Sequence, residues 1–131
     1  MASKRGKNGS QFVNNVDINK VCNDFLHFYY KNWMENVDLL FKNQIWKPFT
    51  KINIDDKSLT PQQTIQFHKN LQGGIFERIS YQFVPDGSRR LDIMVKGKIT
   101  KSGITKFIIQ SFALVEIKGN FYLKYTQIYF I

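Results

Sequence analysis

Residues 75–131 carry apolar side chains at both alternating phases of what read as four β-strands. The runs are IFERISYQFVP, RRLDIMVKGKIT, TKFIIQSFALVEI and FYLKYTQIYFI, with turn signals at Asp86-Gly87, Ser102-Gly103 and Lys118-Gly119-Asn120. Side chains alternate between the faces of a strand, so a sheet with one wet face should alternate oily and polar. In the third run Phe107, Ile109, Ala113, Val115 and Ile117 point one way, and Ile108, Phe112 and Leu114 the other. A sheet with two apolar faces needs two covers. The N-terminal half can supply one. The other is a partner, a ligand, a second copy, or the chain's own loops and tail.

The N-terminal half is helical in pattern. Asp17 suits the N-cap of a helix running to about Met34, with Ile18, Cys22, Phe25 and Tyr29 on one stripe and Val21 and Phe28 widening it. A second short helix is predicted over Asn36–Lys42. An extended piece then carries Ile45, Trp46 and Phe49, is broken at Pro48, and has KINI (51–54) as a possible neighbour. Thr60-Pro61-Gln62-Gln63 has the form of a capping box, and Gly73-Gly74 of a helix stop, so a third helix lies between them with Ile65, His68 and Leu71 near one face. The class is α+β: three N-terminal helices packed on a curved antiparallel β-sheet.

For the sheet, the pattern places Ile79, Tyr81 and Phe83 inward with Ser80, Gln82 and Val84 outward. Leu91, Ile93 and Val95 point inward, and Arg90, Asp92, Met94 and Lys96 outward. The register of the last two strands stays open, because a slip of one residue exchanges two apolar faces. The partner-interface candidates are Met94, Lys96, Gln110, Phe112, Leu114, Tyr122, Ile128 and Phe130.

Composition narrows the class. Hydrophobic residues make up 43% and aromatics 15% of 131 residues, which suits one folded domain with a real core. No segment approaches the roughly 18 apolar residues of a membrane span. The start has no apolar run of a secretory signal, and one cysteine, Cys22, gives no internal disulfide framework. These features lead us to expect a soluble intracellular domain with no membrane contact, metal or cofactor. The formal charge of +9 suits acidic partners or RNA. The contacts it suggests are Lys4, Arg5 and Lys7 in a flexible basic tail (1–12), and Lys98, Lys101 and Lys106 near the second turn. A merely solvated set of lysines is the plainer reading.

Catalytic candidates are His27, His68, Asp92, Tyr81 and Tyr125. None has an acid–base neighbour placed beside it by the sequence. Asp92 reads as one member of an outer-face charge pair with Arg90, His27 as an exposed helix position, and His68 as a cover for the sheet. Gly73-Gly74 follows a helix, which is the wrong order for an anion site. Gly97 in a strand marks a bend or bulge. The expectation is a non-enzyme.

Phe25-Leu26-His27-Phe28-Tyr29-Tyr30 resembles the F-[IV]-x-x-Y-Y stretch of nuclear transport factor 2 and its relatives. Leu39-Leu40-Phe41, Val95-Lys96-Gly97-Lys98-Ile99, Gln110-Ser111-Phe112-Ala113-Leu114 and the final strand Tyr122–Phe130 follow that family's order over about residues 16–131. The resemblance implies a cone-shaped domain over 13–131 whose outer sheet face pairs with a second subunit. The acidic hairpin with which the family's Ran-GDP carrier meets its cargo is replaced here by the basic stretch 100–106. Thr126-Gln127 stands where the family has Asn-Asp. The closer likeness is therefore to the small subunits that heterodimerise with the large mRNA export receptor. It implies a homodimer or heterodimer working in nucleus and cytoplasm at the nuclear pore, in contact with FG nucleoporins. Alternatives are a Ran-GDP or protein import carrier, an isomerase- or dehydratase-type enzyme on the same fold, and a basic RNA-binding scaffold.

Overall fold

The structure is a computed structural model describing residues 17–86 and 89–131. Lys4, Arg5 and Lys7 of the basic tail, and Gly87 of the first predicted turn, lie outside the described residues. Three helices, α1 (Ile18–Glu35), α2 (Val37–Lys42) and α3 (Pro61–Leu71), accompany six strands: β1 (Trp46–Ile54), β2 (Lys57–Ser58), β3 (Ile75–Asp86), β4 (Arg90–Lys101), β5 (Ile104–Ile117) and β6 (Asn120–Phe130). The strands form one sheet in the order β2-β1-β6-β5-β4-β3.

The helix ends follow the chemistry of their residues. Asp17 accepts from the Lys20 N–H to open α1, and Asn36 does the same for Leu39 to open α2. At α3 the Thr60 hydroxyl accepts from the Gln63 N–H while the Gln63 side chain accepts from the Thr60 N–H, with Pro61 in the first turn. Gly73 then takes a positive φ of 94° and donates to the Met34 carbonyl at 2.7 Å, tying the end of α3 to α1.

The sheet departs from the sequence expectation in three ways. First, it is mixed: β1 runs parallel to β6, while the other pairs are antiparallel. The expected break at Pro48 is a register irregularity between Trp46 and Lys51, inside one strand that includes KINI. Pro48 survives there because pairing to β6 lapses over that stretch. Second, a β2 arm is added through Asp55 and Asp56, both at positive φ. Third, Ile79 is 55% exposed instead of facing inward. A bulge between Arg78 and Ser80 shifts the phase, so Phe76, Tyr81 and Phe83 face the helices and Ile79 does not. A second irregularity between Ala113 and Leu114 in the β5–β6 pairing adds Lys124 to β6, and such bulges bend and twist a sheet.

The turns Ser102-Gly103 and Lys118-Gly119 each have both residues at positive φ between directly paired strand ends, the two-residue hairpin geometry that suits a right-handed sheet twist. The core lies between the helices and the concave sheet face. It is filled by Cys22, Leu26, Tyr29, Tyr30 and Trp33 from α1 and by Leu91, Ile93, Val95, Ile108, Phe112, Leu114, Leu123 and Ile128 from the sheet. The α1 stripe is thus centred on Leu26, Tyr30 and Trp33 as well as on Cys22 and Tyr29.

Gly97 sits opposite Arg78 beside the β3 bulge, and its role is to make room. A Cβ there would lie 2.6 Å from the Phe76 ring and 3.0 Å from the Glu77 carbonyl oxygen. The Phe76 ring cannot step aside, because it stacks on Tyr30 with centroids 3.7 Å apart and planes 1° from parallel. Gly97→Ala should therefore cost about 1–3 kcal/mol in urea denaturation, the usual penalty of overpacking. In a Phe76→Leu background the same substitution should cost clearly less, and equal costs in both backgrounds would refute the steric account.

Candidate functional site

Three places could carry function: the interior of the cone, the convex sheet face, and a groove beside α1. The interior holds a chain of hydrogen bonds built from α1, α3, β5 and β6. His68 Nδ1 lies 2.8 Å from the Thr64 carbonyl, which can only accept, so Nδ1 carries the proton and Nε2 accepts. Its donor is the Tyr29 hydroxyl at 2.6 Å. The Tyr29 oxygen accepts in turn from Gln110 Nε2 at 3.0 Å, and the same amide donates to Thr126 Oγ1 at 2.9 Å. Gln110 Oε1 accepts from the Tyr30 hydroxyl at 2.7 Å, and Thr126 Oγ1 donates to the Ser111 carbonyl. Trp33 Nε1 closes the α1–α3 contact on the His68 carbonyl at 3.0 Å.

This network is sealed. Thr64, His68, Gln110 and Thr126 have no exposed surface, and Tyr29, Trp33 and Phe112 fill the space around them. Burial pushes both tyrosine hydroxyls upward and lowers His68 from 6.5 to about 4, so the imidazole is neutral at physiological pH. A neutral imidazole satisfied at both nitrogens and walled in by rings has no free valence for substrate. Of the five catalytic candidates only His68 lies here. His27 is exposed on α1, and Tyr81 bonds Asn19 and Asn23 at the α1–β3 edge. Asp92 pairs with Arg90 on the outer face at 2.9 Å, as the sequence suggests, and Tyr125 bonds Gln127 there. The sequence did not reveal the side-chain partner of the His68 ring, because Tyr29 lies 39 residues away.

The convex face is the second place. Its phase is set by the pairings Lys96–Ile109–Tyr129, Met94–Ser111–Gln127, Asp92–Ala113–Tyr125 and Arg90–Val115–Tyr122. Met94, Phe107 and Ile117 are 41%, 46% and 43% exposed, and Ile109, Val115, Tyr122, Tyr125 and Tyr129 are half-buried. Lys47 lies 4.2 Å over the Tyr122 ring, and Tyr129 bonds Asp56. The expected interface divides accordingly. Met94, Lys96 and Tyr122 are on this face. Gln110, Phe112, Leu114 and Ile128 are not: they are at most 1% exposed beneath the helices. Phe130 also turns to the helix side, against Phe67. The two apolar phases left the choice open, and the outer face belongs instead to Phe107, Ile109, Ala113 and Val115.

The lysines near the second turn are engaged and divided. Lys98 pairs with Glu77 at 3.6 Å, Lys101 donates to the Asn70 carbonyl at 2.9 Å, and Lys106 sits 5.3 Å over the Phe130 ring. Alternation puts Lys98 on the convex side, and Lys101 and Lys106 on the other. The third place is an open groove of about 580 Å³ between α1 and the start of β3.

Neither a protein-family model nor a curated protein sequence matches the chain. Solved structures do. Ntf2 from Cryptosporidium parvum superposes with a TM-score of 0.75 at 17% identity, over 92% of this chain and 99% of that one. The yeast Ubp3-associated protein Bre5 gives 0.73 at 17% identity, over 89% and 98%. The chain has the NTF2-like fold. An NTF2-like protein of unknown function from Pseudomonas aeruginosa, at 0.67 and 10% identity over 88% and 99%, extends the same cone to a bacterium. Among the described residues, Tyr29, Trp33, Phe41 and Phe67 pack around the His68 ring inside that fold.

The buried histidine predicts a pH dependence. Between about 6.5 and about 4 the unfolded chain takes up a proton that folded His68 excludes. Stability contributed by this group is therefore complete above pH 6.5 and falls as pH drops toward 4, at about 1.4 kcal/mol per pH unit. The loss between pH 6.5 and 4.5 in urea denaturation should shrink by about 2–3 kcal/mol in His68→Gln. An unchanged loss would contradict a neutral buried imidazole. Separately, Tyr29→Phe strands His68 Nε2 and one Gln110 N–H bond, and should cost about 1–3 kcal/mol at pH 7.

Proposed function

We propose that the chain is a non-catalytic NTF2-like factor that dimerises through the convex face of its sheet and serves nucleocytoplasmic transport. In this reading it acts as a cofactor of mRNA or protein export at the nuclear pore, shared between nucleus and cytoplasm. The observation that carries it is the contrast between the two sheet faces. The concave face is filled and internally hydrogen-bonded, whereas the convex face leaves Met94, Phe107, Ile109 and Val115 partly open among Lys96, Ser111 and Gln127. An apolar centre with interleaved polar groups is how subunit interfaces are built. The partner is a second copy or a larger NTF2-like receptor. The likeness to Ntf2 supports the transport part.

A second reading has equal support from identity. Bre5 is the cofactor of the yeast deubiquitinase Ubp3, so the same surface logic suits an adaptor for a partner enzyme. Copurification from the native cell separates the two: nucleoporins and a large NTF2-like receptor favour transport, and a deubiquitinase without them favours the adaptor.

The dimer is tested by light scattering on the eluting chain. The wild type should run as a dimer, or as a heterodimer with its copurified receptor. Met94→Glu combined with Ile109→Glu should weaken association at least tenfold while leaving the melting temperature of the separated chain within a few degrees. A wild type that stays monomeric alone and with every copurifying protein would end the proposal.

A further inference from the structure

The groove between α1 and β3 is not used by a convex-face dimer, and three of its features point to one kind of occupant. The first is backbone. β3 is the last strand of the sheet and, among the described residues, pairs with β4 on one side only, so its other edge presents unpaired N–H and C=O groups. The second is shape. The groove runs along Gly74, Ile75, Phe76 and Arg78, with Leu26, Tyr30 and Met34 of α1 as its opposite wall. A strand added at the β3 edge would turn alternate side chains toward the helix side, into this space. Ile75, 71% exposed, forms an apolar lip. The third is charge. Lys31 and Arg78 line the rim against a single carboxylate, Glu35, in a chain of net charge +9. Arg78 is held in place by a bond to Asn23 Oδ1 at 3.1 Å and by the Tyr81 ring 4.4 Å away.

We propose that this edge and groove take an extended acidic peptide segment of a partner protein, paired in β fashion along Ile75–Arg78. One large apolar side chain of the segment rests against Tyr30, Met34 and Phe76, and a carboxylate meets Lys31 and Arg78. A second copy of the chain is disfavoured as the occupant. The bulge at Ile79 divides the edge into Ile75–Arg78 and Ser80–Val84, and Pro85 ends the second piece, so the edge offers two short runs of regular backbone and no long uninterrupted one. That suits a short linear segment, not a long strand-to-strand seam.

The test uses the full chain and a random twelve-residue displayed peptide library, followed by synthesis of the enriched peptides. Enriched sequences should combine an aromatic or large aliphatic residue with Asp or Glu, and their binding should shift the backbone amide resonances of residues 74–78 and of α1 around Lys31. Methylating alternate backbone nitrogens of the peptide should abolish binding if edge pairing carries it. Lys31→Glu, a change at an exposed helix position checked for folding by circular dichroism, should weaken binding at least tenfold and leave the oligomeric state unchanged. Four results would overturn the proposal: no enrichment above background, peptides that map to the convex face, affinity indifferent to both backbone methylation and Lys31→Glu, or single-stranded RNA shifting these amides where peptides do not. Only peptides that map to the convex face would also bear on the convex-face dimer, which light scattering reads separately.

Discussion

Gln110 is the residue on which the arrangement of this molecule turns. It lies in the middle of a strand that is apolar on both faces, so hydrophobicity alone would accept either face as the core. Burying a primary amide is costly unless its hydrogen bonds are made, and here three partners from α1 and β6 make them. A slip of one residue would put Ile109, Ala113 and Val115 inside and move Gln110 into water. It would also strand the hydroxyls of Tyr29, Tyr30 and Thr126 in an apolar interior. The polar network therefore selects between two packings that look alike to an oil-and-water count.

The rest of the design is consistent with that choice. Once Gln110 faces inward, Phe112 meets Phe25 and Tyr29 edge-on, with ring centroids 5.0 Å from each. His68 is then reached through Tyr29, so the buried polar link between α3 and the sheet passes through α1. The outward row of β5 leaves Phe107 exposed and Ile109 and Val115 half-buried, and these side chains are the basis of the dimer proposal. One amide thus links core packing, the closed interior and the open surface.

Local signals in the sequence are read correctly where the chemistry is local. The capping box at Thr60–Gln63, the Asp17 cap and the two glycine-containing hairpins depend on neighbours within a few residues, and each forms as its residues dictate. The order of three helices and a long-stranded sheet is legible for the same reason. What escaped depends on distant partners. Ile79 is turned outward by a bulge that no residue type announces, and β1 gains its parallel place only because β6 returns beside it. Half of the expected interface residues sit in the core, because the deciding groups, Tyr29, Tyr30 and Thr126, are 16 to 81 residues from Gln110.

The central claim is that β5 presents its even-numbered residues to the core and its odd-numbered residues to the outside. Thiol labelling of single-cysteine variants along the strand tests this directly, since native Cys22 is fully buried and gives a silent background. Cysteine at 107, 109 or 115 should react readily in dilute protein, whereas cysteine at 108, 112 or 114 should react only on unfolding. Fast labelling at 108, 112 and 114 with protection at 107, 109 and 115 in dilute protein would contradict the account.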